Sequence, residues 1–539
     1  MSYIWPIHCL IVDTSTVRTS VTINCVPLSV FFADLGRKVS DSDNQAVQSF
    51  ARLWPWICYV LATGLLLRPI LITTVSADDL INPFTQIYHA GTSIDSVMRR
   101  TWNSTSATGH FNYVGQSIGS VVVMIWTYLI GNFGIRFSAV YAATKFLVYL
   151  FCLVVGAAAI RSALSFMGIN MSAWPARIWI LIVTATFLQI HVPWSNDPVA
   201  SYPLAGFLTA AIGVMFIVFV IALSNSESLV KAFVVGIFGV FAVLYYEYNS
   251  FAILSVAPIL LYGFWQDRKS KTDLIKRVKL SLLFVGPAAI TTAYFYLSHK
   301  AASANYNGTA LSFQAPFAKT FVNGVASTFP ASSWKIAHEW LTGPLSRPTQ
   351  SWLPYVFGLV VLGSMYPLRS RWGSRQFIRE VKWQGVFIGC SPFIIYWLGA
   401  TLTQTATEKV QLEAVRIGQV YNFYAVGVTC LAIISIVLLS LVNWRNVPTL
   451  LRSVLLTMVL FFGAYQYIVN WNVMIQFNGA TSGSRNLLVA YAEKPPMEQR
   501  CAALNTWKTM GWPEYYWLDM ELGLNASYEI FHGELFCKQ

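Results

Sequence analysis

Charge is what this chain has least of. Only 11% of its 539 residues are Asp, Glu, Lys or Arg, against 55% hydrophobic ones, and its mean hydropathy is +0.54. Soluble domains carry roughly 25% charged residues, so a soluble globular protein is excluded. Acids are scarcer than bases, 23 against 36, for a formal net charge of +13. The bases fall between apolar runs and not on a basic domain, so no nucleic-acid partner is expected and they act as topology signals. Zinc-ligand spacing, CxxC pairs and a phosphate-cradling glycine loop are all missing from the sequence. So are fixed-period repeats and matching halves with interrupted helices, which weighs against a secondary transporter. Residues 1–51 lack the basic, apolar, small-residue order of a signal peptide.

What is present is a series of apolar runs, each near the roughly 20 residues that a spanning helix needs. They lie near 54–75, 137–160, 177–192, 201–223, 231–246, 250–265, 280–298, 353–368, 384–402, 420–442 and 453–472. A further run, 116–131, is long enough to span, but counting it would invert the side of everything after it. Treated as an interfacial or re-entrant helix, it leaves the basic clusters around Arg52, Arg161, Arg177, 268–279, 369–382 and Arg445 on one side, the cytoplasmic one by the positive-inside rule. The expected fold is therefore all-α and integral to the membrane, with about eleven spans. A cytoplasmic segment 1–53 precedes the membrane domain 54–472, and an extracytoplasmic tail 473–539 follows it. Outer loops 77–136 and 299–352 complete the design.

The eight cysteines divide by environment. Cys58, Cys152, Cys390 and Cys430 fall in apolar runs, as small hydrophobes do. Cys501 and Cys537 bracket the polar tail, where a disulfide persists if that side is oxidising.

The acidic pair Asp78 and Asp79 follows the first apolar run directly. Carboxylates at that depth can cap the helix starting near Leu80, act as a base toward a hydroxyl, or do both. They also offer oxygen ligands to a divalent cation, too few on their own, and no other cofactor is indicated. The same loop carries His89, Arg99, Arg100 and His110. Asp197 and Glu247 are further outer acids. Three cations, Arg68, Lys145 and Arg416, stand at headgroup depth, where they can hold a phosphate, snorkel, or pair locally.

An acid in the first outer loop, then LIGNFGIRFSAVYAATKFLVYLFCLVVGAAAIRSAL and a second outer acid in QIHVPWSND, resembles the GT-C class of membrane glycosyltransferases. That class includes lipid A aminoarabinose transferases, protein O-mannosyltransferases, oligosaccharyltransferases and mycobacterial arabinosyltransferases. The resemblance covers residues 54–300 and lies in layout more than in identity. No proline pair opens the 116–131 helix, and GHFNYVG has His110 where some bacterial members have Arg, which leaves the sub-family open. The resemblance implies a polyprenyl-phosphate sugar donor and a glycan, lipid or protein acceptor. It implies an active site on the extracytoplasmic face of the plasma membrane, Asp78 or Asp79 as base, and inversion at the anomeric carbon. Asp197, Glu247, Arg416, His110, His89, Arg68 and Lys145 would position the substrates. A glycan polymerase or ligase, relying on loop arginine and histidine, and a lipid-linked glycan flippase are the competing readings.

Overall fold

The computed structural model describes residues 45–75, 78–108, 112–190, 199–224, 228–301, 328, 352–365, 383–399, 421–442, 447–510 and 514–538. Among them the regular structure is helical: α1 (Gln45–Leu66), α2 (Arg68–Leu71), α3 (Asp78–Ala90), α4 (Ile94–Thr108), α5 (Tyr113–Phe133), α6 (Phe137–Phe166), α7 (Ala173–Phe187), α8 (Thr209–Leu223), α9 (Leu229–Tyr245), α10 (Ser250–Ser255), α11 (Ala257–Asp267), α12 (Lys271–Ala301), α13 (Leu353–Gly363), α14 (Trp383–Gly399), α15 (Tyr421–Leu441), α16 (Thr449–Ala480), α17 (Ser482–Glu493), α18 (Met497–Lys508) and α19 (Glu514–His532). Helices pair each backbone N–H and C=O within the segment, which is what an apolar solvent demands. Among the described residues, six helices are long and apolar enough to cross a membrane: Tyr113–Phe133, Phe137–Phe166, Leu204–Leu223, Glu247–Asp267, Lys271–Leu297 and Thr449–Ala480. Shorter apolar helices, among them Ala173–Phe187 and Leu229–Tyr245, accompany them. Each apolar run expected to span contains helix among its described residues, and the run expected at 453–472 belongs to α16, which continues unbroken to Ala480.

The first run is not one straight helix. Proline lacks an N–H, crowds the preceding turn and disfavours helical geometry in the residue before it. Pro69 accordingly sits in the first turn of a new four-residue helix, and Leu67 is the joint between α1 and α2. The chain then leaves helical geometry at Thr73–Val75, which leaves late carbonyls to be satisfied from elsewhere. Two side chains do this. Lys145 of α6 donates to the carbonyls of Ile70 and Thr73, both at 3.1 Å, and to Thr73 Oγ1 at 2.6 Å. Asn478 of α16 donates to the Ile72 carbonyl at 3.1 Å and accepts from Thr74 N at 2.6 Å and Thr74 Oγ1 at 2.9 Å.

Two cores result. The larger joins the apolar helices of the bundle, from Cys58 and Tyr59 on α1 to Val473 and Phe477 on α16. The smaller joins α3, α5 and the start of α6 to the C-terminal helices through Phe84, Trp126, Tyr141, Tyr491, Trp507 and Tyr528. The C-terminal tail thus shares a core with the acid-bearing helix. Its Cys501 and Cys537 are bridged, as expected.

Helix α5 is apolar and long enough to span, yet its neighbours lie at one end of the bundle. Near its start, a Cβ on Gly115 would lie 1.9 Å from the carbonyl oxygen of Tyr245, the last residue of α9. Its end passes through residues 134–136 into the first turn of α6. Tyr245 and the start of α6 meet the same segment, since Tyr245 donates to the Leu204 carbonyl and Tyr141 and the Tyr202 N–H bind one carboxylate. Helix α5 therefore links the end of α9 to the start of α6.

Helix α3 buries Leu80, Ile81, Phe84 and Ile87 to 3% exposure or less. Where it meets α19, a Cβ on Gly523 would come within 2.6 Å of the Phe84 carbonyl carbon and 2.8 Å of Thr85 N. These are backbone atoms that cannot rotate away. Gly523→Leu is expected to separate α19 from α3 and to destabilise the protein by roughly 1–3 kcal/mol. A lower thermal midpoint and faster proteolysis between α16 and α19 are the readouts, and an unchanged midpoint would refute this packing.

Candidate functional site

A cavity of about 340 Å³ opens between α3, α5 and the segment that enters α8. Its wall comes from two polar stripes at helical spacing. Asp79, Asn82 and Gln86 stand at i, i+3 and i+7 on α3, opposite that helix's buried apolar face, and Asn112, Gln116 and Ser120 run along the start of α5. Trp126, Tyr202, Tyr245 and Tyr246 supply aromatic surface. Asp79 is the single charged side chain among the described residues that line it.

Asp79 is held in place. Its Oδ2 accepts a hydrogen bond from the Tyr141 hydroxyl at 2.5 Å and from the Tyr202 backbone N–H at 2.7 Å. Tyr202 has φ +54°, a left-handed conformation that disfavours a side chain with a Cβ. Such strain persists only where the surroundings impose it. Here they do: Tyr149 donates to the Val199 carbonyl at 2.8 Å, Thr73 donates to the Ala200 carbonyl at 3.4 Å, and Pro203 follows directly. The strained backbone aims its N–H at the carboxylate.

The residues expected at a site are brought together only in part. Asp78 and Asp79 open α3 from within its first turn, where negative charge complements the helix dipole. The Asp78 side chain, Asp197, His110 and Arg416 lie outside the described residues. Glu247 is 5% exposed in the short helix Glu247–Asn249, directly after the cavity residues Tyr245 and Tyr246. His89 ends α3 exposed and away from the cavity, its pKa lowered by partial burial and then by the charge of Arg100, against a smaller opposing effect of Asp519. Arg68 is exposed, with its guanidinium 5.6 Å from the Trp471 ring centre.

Lys145 differs most from the expectation of a phosphate ligand or a snorkelling side chain. It is fully buried and borders no part of the cavity. An ammonium has three donors, and all three are engaged by the broken end of the first run. Asp79 lies within electrostatic reach of Lys145.

Sequence reading missed Tyr141, Tyr202 and the amides. The stripe Asp79, Asn82, Gln86 was legible as helical spacing in DDLINPFTQ. Tyr141 and Tyr202 carried no local signal, because their role depends on distant segments meeting. Among the described residues, no group of three or more His, Cys, Asp or Glu side chains gathers to hold a metal ion.

Replacing Lys145 with Met should remove the donors while keeping much of the volume. The Thr73 carbonyl would lose its donor at about 1–3 kcal/mol, while the Ile70 carbonyl keeps the Thr73 hydroxyl at 2.9 Å, so the thermal midpoint followed by tryptophan fluorescence should fall. An unaltered midpoint would show that these hydrogen bonds do not secure the first run.

The chain matches no protein-family model, no curated protein and no solved structure in these three comparisons.

Proposed function

We propose that this protein is an integral-membrane glycosyltransferase that moves a sugar from a polyprenyl-phosphate donor to a glycan, lipid or protein acceptor, with Asp79 as general base. The observation that carries the reading is an oriented carboxylate on an amide- and aromatic-lined cavity at one end of an apolar helix bundle. A prenyl tail stays in the bilayer while its phosphate and sugar lie at headgroup level, which is where such an end places a cavity. Amides serve sugar hydroxyl edges, and aromatic faces serve the C–H face of the ring.

In this proposal the Asp79 carboxylate removes the proton of the acceptor hydroxyl as its oxygen attacks the anomeric carbon. The bond from that carbon to the phosphate oxygen breaks, the prenyl phosphate leaves with the electron pair, and the anomeric centre inverts. The side is assigned from two features. Basic clusters collect on the other side by the positive-inside rule, and the Cys501–Cys537 bridge, in the core shared with α3, suits an oxidising compartment. The phosphate is assigned to Arg416, because Lys145 is engaged elsewhere and Arg68 stands over Trp471.

The test is transfer of radiolabelled sugar from polyprenyl phosphate in membranes carrying the full chain. A general base contributes roughly 10²–10⁴-fold, so Asp79→Asn should lose that much turnover with donor KM little changed. Arg416→Ala should instead raise donor KM, by about tenfold or more for a lost charge-assisted hydrogen bond. Full turnover in Asp79→Asn would rule out the base assignment.

A further inference from the structure

Two polar atoms on the cavity wall lack partners. Gln86 Nε2 on α3 and Asn112 Oδ1 at the start of α5 are buried and make no hydrogen bond, and both residues line the cavity beside Asp79. Buried polar atoms are nearly always paired, because burial removes their water without replacement, so each exception calls for a reason.

The ordinary structural reason fails for Asn112. It occupies the N-cap position of α5, where an asparagine side chain usually accepts a hydrogen bond from a first-turn N–H. It makes no such bond, and it is only 2% exposed. A polar side chain in the right place to cap the helix instead leaves its oxygen bare next to a cavity.

The two orphaned atoms are of opposite kind, one a donor and one an acceptor. A hydroxyl group is both. Asn82 and Gln116 add two more amides to the same wall, and Asp79 is its single charge among the described residues. An anionic ring would therefore meet a carboxylate with no described cation on the wall to offset it. A volume of about 340 Å³ lies at the small end of ligand sites, roughly 300–1,000 Å³, and suits one ring better than a chain of them.

We infer that Gln86 and Asn112 form a subsite for the hydroxyls of one uncharged sugar ring, held beside Asp79. The assignment of that ring to a transferred sugar rests on the proposed function; binding of the ring does not.

The experiment is a titration of the purified full chain in lipid nanodiscs with farnesyl-phosphate conjugates of mannose, glucose, galactose, arabinose and glucuronic acid. At least one neutral conjugate should bind, and the glucuronic acid conjugate should bind at least about tenfold more weakly than that one. Asn112→Leu and Gln86→Leu should each weaken neutral-ring binding by about tenfold or more. Their thermal midpoints should stay level or rise, because an unpaired polar atom has been replaced by an apolar one of similar size. Asp79→Asn should keep neutral-ring binding and narrow the gap to the glucuronic acid conjugate. Absence of binding by every neutral conjugate, wild-type affinity in both leucine variants, or lowered midpoints in both would overturn the subsite. If one leucine variant fails to fold, the other decides. Normal transfer by Asp79→Asn together with weakened binding by the leucine variants would leave the subsite standing and remove the base assignment.

Discussion

A lysine buried in the membrane domain, with all three of its donors on the broken end of the first helix, is the contact on which the site depends. A buried ammonium is tolerated only when hydrogen-bonded and balanced by opposite charge. The Thr73 and Ile70 carbonyls supply the first condition, and Asp79 lies close enough to supply part of the second. From there the ties run outward through Thr73 to the Ala200 carbonyl, and from Tyr202 N–H and Tyr141 to Asp79. The first run ends its helical geometry at Thr73–Val75, that end leaves carbonyls free, and the carbonyls recruit a cation from the middle of another helix. The carboxylate that faces the cavity is thus braced by backbone irregularity a few residues before it.

The second structural condition is the small core outside the main bundle. Helix α3 has one apolar face and one polar stripe, and the C-terminal helices cover the apolar face. With Leu80, Ile81 and Phe84 packed in one core with Leu524, Tyr491 and Tyr528, the stripe Asp79, Asn82 and Gln86 turns toward α5. Amphipathicity fixes the rotation of the helix, and that rotation aims the polar groups. Glycines set the distances: Gly523 lets α19 reach the α3 backbone, and Gly115 lets α5 reach the Tyr245 carbonyl. Arg500, 2% exposed, ties α18 to the chain end by hydrogen bonds to the Phe536 carbonyl, Tyr528 hydroxyl and Glu534 carboxylate, next to the Cys501–Cys537 bridge.

Much of the fold was legible because apolar runs and their lengths are local properties. The helices and the Cys501–Cys537 bridge follow from patterns along the chain. Asp79 was legible for the same reason, as an acid directly beyond an apolar run. Lys145 was not, since a lone lysine in an apolar helix reads equally as snorkelling, as a phosphate ligand or as a buried anchor until its acceptors are located. Those acceptors are backbone carbonyls more than 70 residues away in sequence, freed where the chain leaves helical geometry at Thr73–Val75. Tyr202 was hidden likewise, because a left-handed φ at a tyrosine is imposed by its neighbours and not by its own preference.

The proposed function requires the cavity beside Asp79 to open to the extracytoplasmic side of the membrane. Position 119 reports on it directly, because Gly119 lines the cavity and a Cβ there meets no atom within 4 Å. Gly119→Cys, in a chain with Cys9 and Cys25 replaced by serine, should react with a membrane-impermeant maleimide added to intact cells or right-side-out vesicles, and a bound prenyl-phosphate sugar should slow the reaction. Reaction only in inside-out vesicles would place the carboxylate and its cavity on the cytoplasmic face and contradict the account.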